Sequence, residues 1–269
     1  MALAAARMES EAPILLQDRD DSGVLRLTLN RPAARNALSI ALMQSLIEAL
    51  DAAAGDRRAR VVVIAGAGPA FCAGHDLHEI RIENKREAFE RIFALCSALM
   101  LKIVRLPKPV IAAVHGIATA AGCQLVATCD LAVAAEDARF ATPGVNIGLF
   151  CSTPMVALTR AIGRKPAMEM LLTGELIDAA EAKGLGLVNR VVPAAELRAA
   201  TDAVARQIAG KSALSVAIGK EAFYRQAELD LAEAYRYAAE VMTRNMLAED
   251  AREGIDAFLE KRPPVWKDA

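Results

Sequence analysis

Two short stretches carry the residue types that could do chemistry. One is Phe71-Cys72-Ala73-Gly74-His75-Asp76-Leu77. The other runs from His115 through Gly116, Ile117, Ala118, Thr119, Ala120, Ala121 and Gly122 to Cys123 and Gln124. Each follows an apolar run that reads as a strand, and each is built mainly of small residues, which let a backbone approach a ligand closely. The second also opens a helix, where N–H groups without intrahelical acceptors and the helix dipole favour negative charge. One N–H from each turn, aimed at one point, would polarise a thioester oxygen and stabilise an enolate. The same Ala and Gly content also suits tight strand–helix packing with no chemistry, and spacing alone leaves both readings open.

The polar residues around these turns have plainer readings. His75 and His78 stand three apart, but no third ligand follows at a useful spacing, so no metal site is expected. Asp76 and Glu79 read as cap and surface residues, and Cys123 as a small packing residue.

Elements that could position the turns are legible in the apolar pattern. Val24 to Leu29 alternates, with Leu25, Leu27 and Leu29 on one face, as in a half-buried strand. Ile40, Met43, Leu46, Ile47 and Leu50 recur at helical spacing. Val61 to Ile64 is a continuous apolar run typical of a strand covered on both faces. A helix with Phe89, Ile92, Phe93, Cys96, Leu99, Met100 and Ile103 as its stripe ends at Pro107 and Pro109. Strands are expected at Val110 to Val114 and Leu131 to Ala134, with a helix near Gly122 to Thr128 between them. Strands separated by helices predict right-handed crossovers in a largely parallel sheet. Beyond Pro154 the signals are nearly all helical, with Asp178 and Glu181 resembling a capping box, one late short strand over Leu187 to Val192, and two amphipathic helices from Glu228 onward. The expected organisation is an α/β core over residues 1–200 and a C-terminal helical subdomain over 201–269.

Bulk properties bound the function. The chain has 269 residues, 54% of them hydrophobic and 24% charged, enough for a sizeable core. A formal net charge of −1 gives no electrostatic case for nucleic acid or an anionic membrane. Five cysteines without a C-x-x-C pair argue against a disulfide framework or zinc site and for a reducing compartment, with the cytoplasm as the expected location. The start, MALAAAR, lacks the apolar region of a signal peptide, and Met8 is an alternative start. The run Val110 to Cys129 contains His115, Gly116, Gly122 and Gln124, so it reads as strand, turn and helix rather than a membrane span.

Taken in order along the chain, six stretches resemble the enoyl-CoA hydratase/isomerase (crotonase) family. They are Asn30-Arg31-Pro32 with Asn36-Ala37-Leu38, Phe71 to Glu79, Ala112 to Asp130, Ala138 to Gly148, Ala167 to Gly174, and Gly254 to Arg262. No single motif is decisive, but their order and spacing are specific and cover nearly the whole chain. The resemblance implies a crotonase-like core of ββα repeats and an acyl-CoA thioester as partner, with coenzyme A arriving as part of the substrate and no separate cofactor. It maps the two oxyanion donors onto the backbone N–H groups of His75 and Ala121. Ala73, His75, Asp76, Leu77 and His78 would line the path of the adenine and pantetheine, with Ala37 and Leu38 beside the pantetheine arm. Lys261 matches a lysine that reaches the coenzyme A phosphates of a neighbouring subunit, so a homotrimer or homohexamer is expected.

One departure matters for chemistry. Hydratases of the family use two glutamates with one water, and here those positions hold Gln124 and Gly144. A carboxylate exchanges a proton near neutral pH and a glutamine does not. Gln124 is left to orient a water or a substrate oxygen, or simply to face an unused pocket. Some family members carry a catalytic aspartate near Cys151 and Ser152, across a one-residue gap in the correspondence. Three readings follow: an acyl-CoA enzyme with non-standard or weak activity, a binding or regulatory protein that kept the pocket, and a thioester hydrolase in which Gln124 or Ser152 positions water.

Overall fold

The computed structural model describes residues 12–269. The segment MALAAAR and Met8 lie outside the described residues. The chain opens with β1 (Leu15–Arg19), β2 (Val24–Leu29), α1 (Ile40–Gly55) and β3 (Val61–Gly66). Next come α2 (Leu77–Glu83), α3 (Arg86–Arg105), β4 (Val110–Val114), β5 (Ile117–Thr119), α4 (Ala121–Thr128), β6 (Leu131–Ala135) and β7 (Arg139–Ala141). The remainder is α5 (Ser152–Ala161), α6 (Arg164–Thr173), β8 (Ile177–Asp178), α7 (Ala179–Leu185), β9 (Arg190–Val192), α8 (Leu197–Ala209), α9 (Ala213–Gln226), α10 (Leu231–Met246) and α11 (Glu249–Glu260).

Six strands form the main sheet in the order β1-β2-β3-β4-β6-β9. Only the β1–β2 pair is antiparallel, and the others are joined by helical crossovers. The continuous apolar strands are explained by two cores. Val62, Ile64, Ala112, Val114, Ala132 and Ala134 face the core shared with α1, α3 and α4, while Val61, Val63, Ile111, Ala113 and Val133 face a second core. That second core is closed by Leu197, Ala200, Val204, Ala205 and Ile208 of α8. The alternation of β2 also holds. Leu25, Leu27 and Leu29 turn to the larger core, and Arg26 on the opposite face pairs with Asp202 of α8.

The boundary expected between residues 200 and 201 falls within α8, whose apolar side covers the sheet. Beyond α8, the next helix is fastened to the core by a buried ionic cluster. The Lys220 ammonium of α9 donates to the Ile103 and Lys108 carbonyls at 2.9 Å each and to Asp130 Oδ2 at 2.6 Å. Asp130 also accepts from the Val110 N–H at 2.7 Å and the Tyr224 hydroxyl at 2.8 Å.

Several elements differ from the sequence expectation. A second, three-stranded sheet in the order β5-β7-β8 has strands too short to show a period. The late strand begins only at Arg190. Gly186 ends α7 in the left-handed region at φ 92°, Leu187 and Val188 drop into the core, and the Asn189 side chain accepts from the Ala132 N–H at 2.8 Å. The capping feature at Asp178 holds, its carboxylate accepting from the Glu181 N–H at 2.8 Å. Among the described residues, no helix is long and apolar enough to cross a membrane.

Candidate functional site

The two turns are brought together by backbone pairing. Phe71 N–H donates to His115 O and Cys72 N–H to Ile117 O, each at 3.0 Å, while Thr119 N–H returns to Cys72 O at 3.0 Å. The Thr119 hydroxyl donates to Ala73 O at 3.1 Å. Gly74 sits at φ +104°, where a side chain is strained, and its missing Cβ would lie only 3.0 Å from Ala120 Cβ and 3.5 Å from the Ala121 nitrogen. The packing reading is therefore true at the seam between the turns. It is truer still at Gly122, whose Cβ would fall 2.1 Å from Cys72 O.

Residues 37 and 38 form a short extra edge to the first turn. Leu38 N–H donates to Gly74 O at 2.7 Å, and Asp76 N–H donates to Leu38 O at 3.2 Å. Arg31 clasps both segments, donating to Ala37 O at 2.6 Å and to Asp76 Oδ2 at 2.8 Å. Asn36 stands in the left-handed region at φ 54°, fully buried. Its amide donates to Ala67 O and Ala70 O, and its oxygen accepts from Arg31 N–H. Asp76 caps α2 by accepting from His78 N–H at 3.0 Å. Burial alone would raise its carboxyl, but the Arg31 guanidinium and the backbone donors outweigh that and hold it below the usual value. Glu79 does more than sit on the surface, because it accepts from the first N–H of α1, at Ile40, at 2.9 Å.

The second turn is strained. Ala120 has φ 51° and ψ −117°, a region that costs a residue with a Cβ about 1–3 kcal/mol. Its N–H is anchored to Ala141 O at 2.9 Å. This bend starts α4 with the Ala121 N–H in the first, intrahelically unpaired turn. Among the described residues, no protein acceptor meets the N–H of His75 or of Ala121.

The side chains divide sharply by environment. The His75 ring packs edge-to-face on Phe93 of α3, with centroids 5.7 Å apart. Burial pushes its pKa below the ordinary histidine value, and the Leu38 backbone acts in the opposite direction. His78 and Leu77 are exposed on α2, so the two imidazoles do not make a pair. Among the described residues, no group of three or more His, Cys, Asp or Glu is placed to hold a metal ion.

Gln124 is buried on α4, and its Oε1 takes the Cys96 thiol at 3.8 Å. Gly144 is buried too, in a 3-10 turn over Pro143–Ile147. Its φ is not positive, so the backbone would accept a side chain. The obstacle is space: an added Cβ would lie 2.9 Å from both Cys151 Sγ and Leu149 O. Cys151 is buried with its thiol pKa raised by desolvation. Exposed Ser152 donates to Phe150 O at 3.3 Å. Lys261 ends α11 in the left-handed region, exposed.

Sequence reasoning missed the Arg31–Asp76 clasp, which joins residues 45 apart and leaves no local signal. It also missed the Phe93 and Cys96 contacts, because both residues read there as an ordinary helix stripe.

A family model described as Enoyl-CoA hydratase/isomerase matches residues 19–269. The human protein named enoyl-CoA hydratase domain-containing protein 3, mitochondrial, is 48% identical over 262 residues, covering 97% of this chain and 86% of that one. The crystal structure of that human protein superposes with a TM-score of 0.92, covering 94% of this chain and all of the other. A crystal structure of an enoyl-CoA hydratase from Mycobacterium smegmatis gives a TM-score of 0.93 at 58% identity, over 95% of this chain and 99% of that one. The fold is thus crotonase-like, as the motif order predicted.

Proposed function

We propose that this chain, which belongs to the enoyl-CoA hydratase/isomerase family, binds acyl-coenzyme A thioesters and polarises the thioester oxygen with the His75 and Ala121 N–H groups. What supports this reading is the seam at Gly74, the neighbour of His75, where an added Cβ would lie 3.5 Å from the Ala121 nitrogen. Donors fixed in advance stabilise the charge of an enolate without reorganising as it forms. The path past Ala37, Leu38, Ala73, Asp76, Leu77 and His78 serves the pantetheine and adenine. No cofactor is needed beyond the coenzyme A carried by the substrate.

Gln124 and Gly144 stand where hydratases of the family hold glutamates, so the reaction is weak or non-standard. A second reading, a non-catalytic acyl-CoA binder, is favoured by the Cys151 thiol and Leu149 carbonyl filling the space beside Gly144. Hydrolysis through Ser152 draws no support from the geometry, since its hydroxyl donates to the Phe150 carbonyl.

The binding test is direct. Butyryl-CoA at about 100 times its Kd should stabilise the native protein by about 2.7 kcal/mol, read as a rise in Tm with a matching calorimetric signal. A panel of short and long acyl-CoAs giving neither would sink the proposal.

The assembly proposed is a homotrimer or homohexamer built through the C-terminal helices, with Lys261 near a neighbour's ligand. Leu247 and Phe258, each 83% exposed, support it as apolar surface without cover in one chain. Sedimentation at micromolar concentration is expected to give an oligomer; a monomer alone would defeat it. All five cysteines are free and buried, which supports a reducing compartment such as the cytoplasm.

A further inference from the structure

Both ring nitrogens of His75 are buried, and among the described residues neither makes a hydrogen bond of good geometry, although the Leu38 backbone lies near enough to favour the protonated ring. Leaving a buried donor or acceptor unpaired costs about 1–3 kcal/mol per group, so such a ring calls for a functional explanation. The imidazole packs against Phe93, which is itself 40% exposed. Phe93 and Cys96 lie one turn apart on the same side of α3. The first touches His75 and the second touches Gln124, so the ring and Gln124 lie along one face of α3.

Several other proton-carrying groups near the turns are committed or unsuited. Asp76 is paired with Arg31, and Glu79 accepts from Ile40 N–H. Burial pushes the thiols of Cys72, Cys96 and Cys123 up to about 12. Burial pushes the imidazole's pKa below the ordinary histidine value, against the opposing effect of the Leu38 backbone. This favours the neutral ring, with a lone pair on one nitrogen and a proton on the other.

We propose that the His75 imidazole removes and returns a proton at the α-carbon of the bound acyl group. This rests on the acyl-CoA reading above, since the same residue's N–H would hold the thioester oxygen. The ring lone pair takes the α-proton. The C–H electron pair becomes the new carbon–carbon double bond, and the carbonyl π pair moves to the oxygen facing the two N–H groups. Reversal returns a proton from the imidazolium to carbon. No carbon–sulfur bond breaks, nothing is oxidised or reduced, and a saturated acyl thioester comes back unchanged except for exchange with solvent.

The test uses butyryl-CoA in D2O with the full-length protein, reading deuterium at the α-carbon by NMR and mass spectrometry. Wild type is expected to label that position. His75→Phe and His75→Gln are expected to slow labelling at saturating butyryl-CoA by at least about 100-fold, the lower end for a proton-transfer group. Butyryl-CoA bound without labelling by wild type, or labelling unchanged in both variants, would overturn the proposal and leave the binding reading intact. No butyryl-CoA binding at all would remove both. Should the variants fold poorly, the chain's three histidines make the wild-type ring signals separable. The His75 imidazole signal must move when butyryl-CoA is added, and a signal that stays still counts against the proposal.

Discussion

Crotonyl-CoA should be hydrated by the pure protein about 10²–10⁴-fold more slowly than by an enzyme with glutamates at the positions of Gln124 and Gly144. On the proposed reading, two N–H groups still stabilise charge on the thioester oxygen. Water addition asks for more: a water held against the β-carbon, a base for its proton and an acid for the α-carbon. An imidazole able to exchange the α-proton meets the last demand and not the first. Groups that act as a unit do not lose activity additively, so a single glutamate returned to the site recovers little. The Gln124→Glu, Gly144→Glu pair, which family geometry alone would favour, is expected to fail as a restoration. The Gly144 backbone tolerates a side chain, but the Cβ would lie 2.9 Å from a main-chain oxygen that cannot swing away. The deciding measurements are the steady-state kcat for crotonyl-CoA and the Tm of each variant. A wild-type kcat at or above about 10² s⁻¹ would mean that another group activates water, and Cys151 and Ser152 would be the next to replace.

Loss of the Lys220 ammonium should be the most damaging single change outside the site. Lys220→Met leaves the largely covered Asp130 carboxyl without its cation, and breaking such a pair on one side typically costs about 3–5 kcal/mol. Two backbone carbonyls lose their donor as well. At about 2–4 °C per kcal/mol for a chain somewhat shorter than this one, Tm should fall by about 10 °C. Adding Asp130→Leu should recover part of the loss, because it removes the stranded charge. Recovery stays partial since Val110 N–H and the Tyr224 hydroxyl also depend on Asp130. Thermal denaturation of both variants checks this, and a shift of under 1 °C for Lys220→Met would show that the ion pair contributes nothing net.

The main sheet and the long helices were legible because burial imposes a period on them. Val61 to Ile64 had to be covered on both faces, and Ile40 to Leu50 had to present one stripe. β1 gave no signal, since Leu15 is buried while Leu16, Gln17 and Asp18 of this edge strand lie exposed. The helix at Leu77–Glu83 was invisible for a similar reason: it starts from the Asp76 cap and exposes Leu77 and His78, so no apolar stripe announces it. Within the site, the two turns could be read from their small residues. The His75 ring could not, because a histidine one position from an aspartate looks the same whether its nitrogens face water or a closed wall. What distinguishes it is Phe93, contributed from another element 18 residues away.

The backward-turned backbone at Ala120 sets a condition on when this protein can become competent. An alanine does not hold φ 51° by its own preference. It is held there by the hydrogen bond to Ala141 O and by the pairing of β5 with β7. A ribosome-bound chain that has not yet released Ala141 therefore has no means of aiming the Ala121 N–H, even if α1 and β1 to β4 have already collapsed. On the proposed function, the site forms only once β7, about halfway along the chain, pairs with β5 and so fixes the turn before α4.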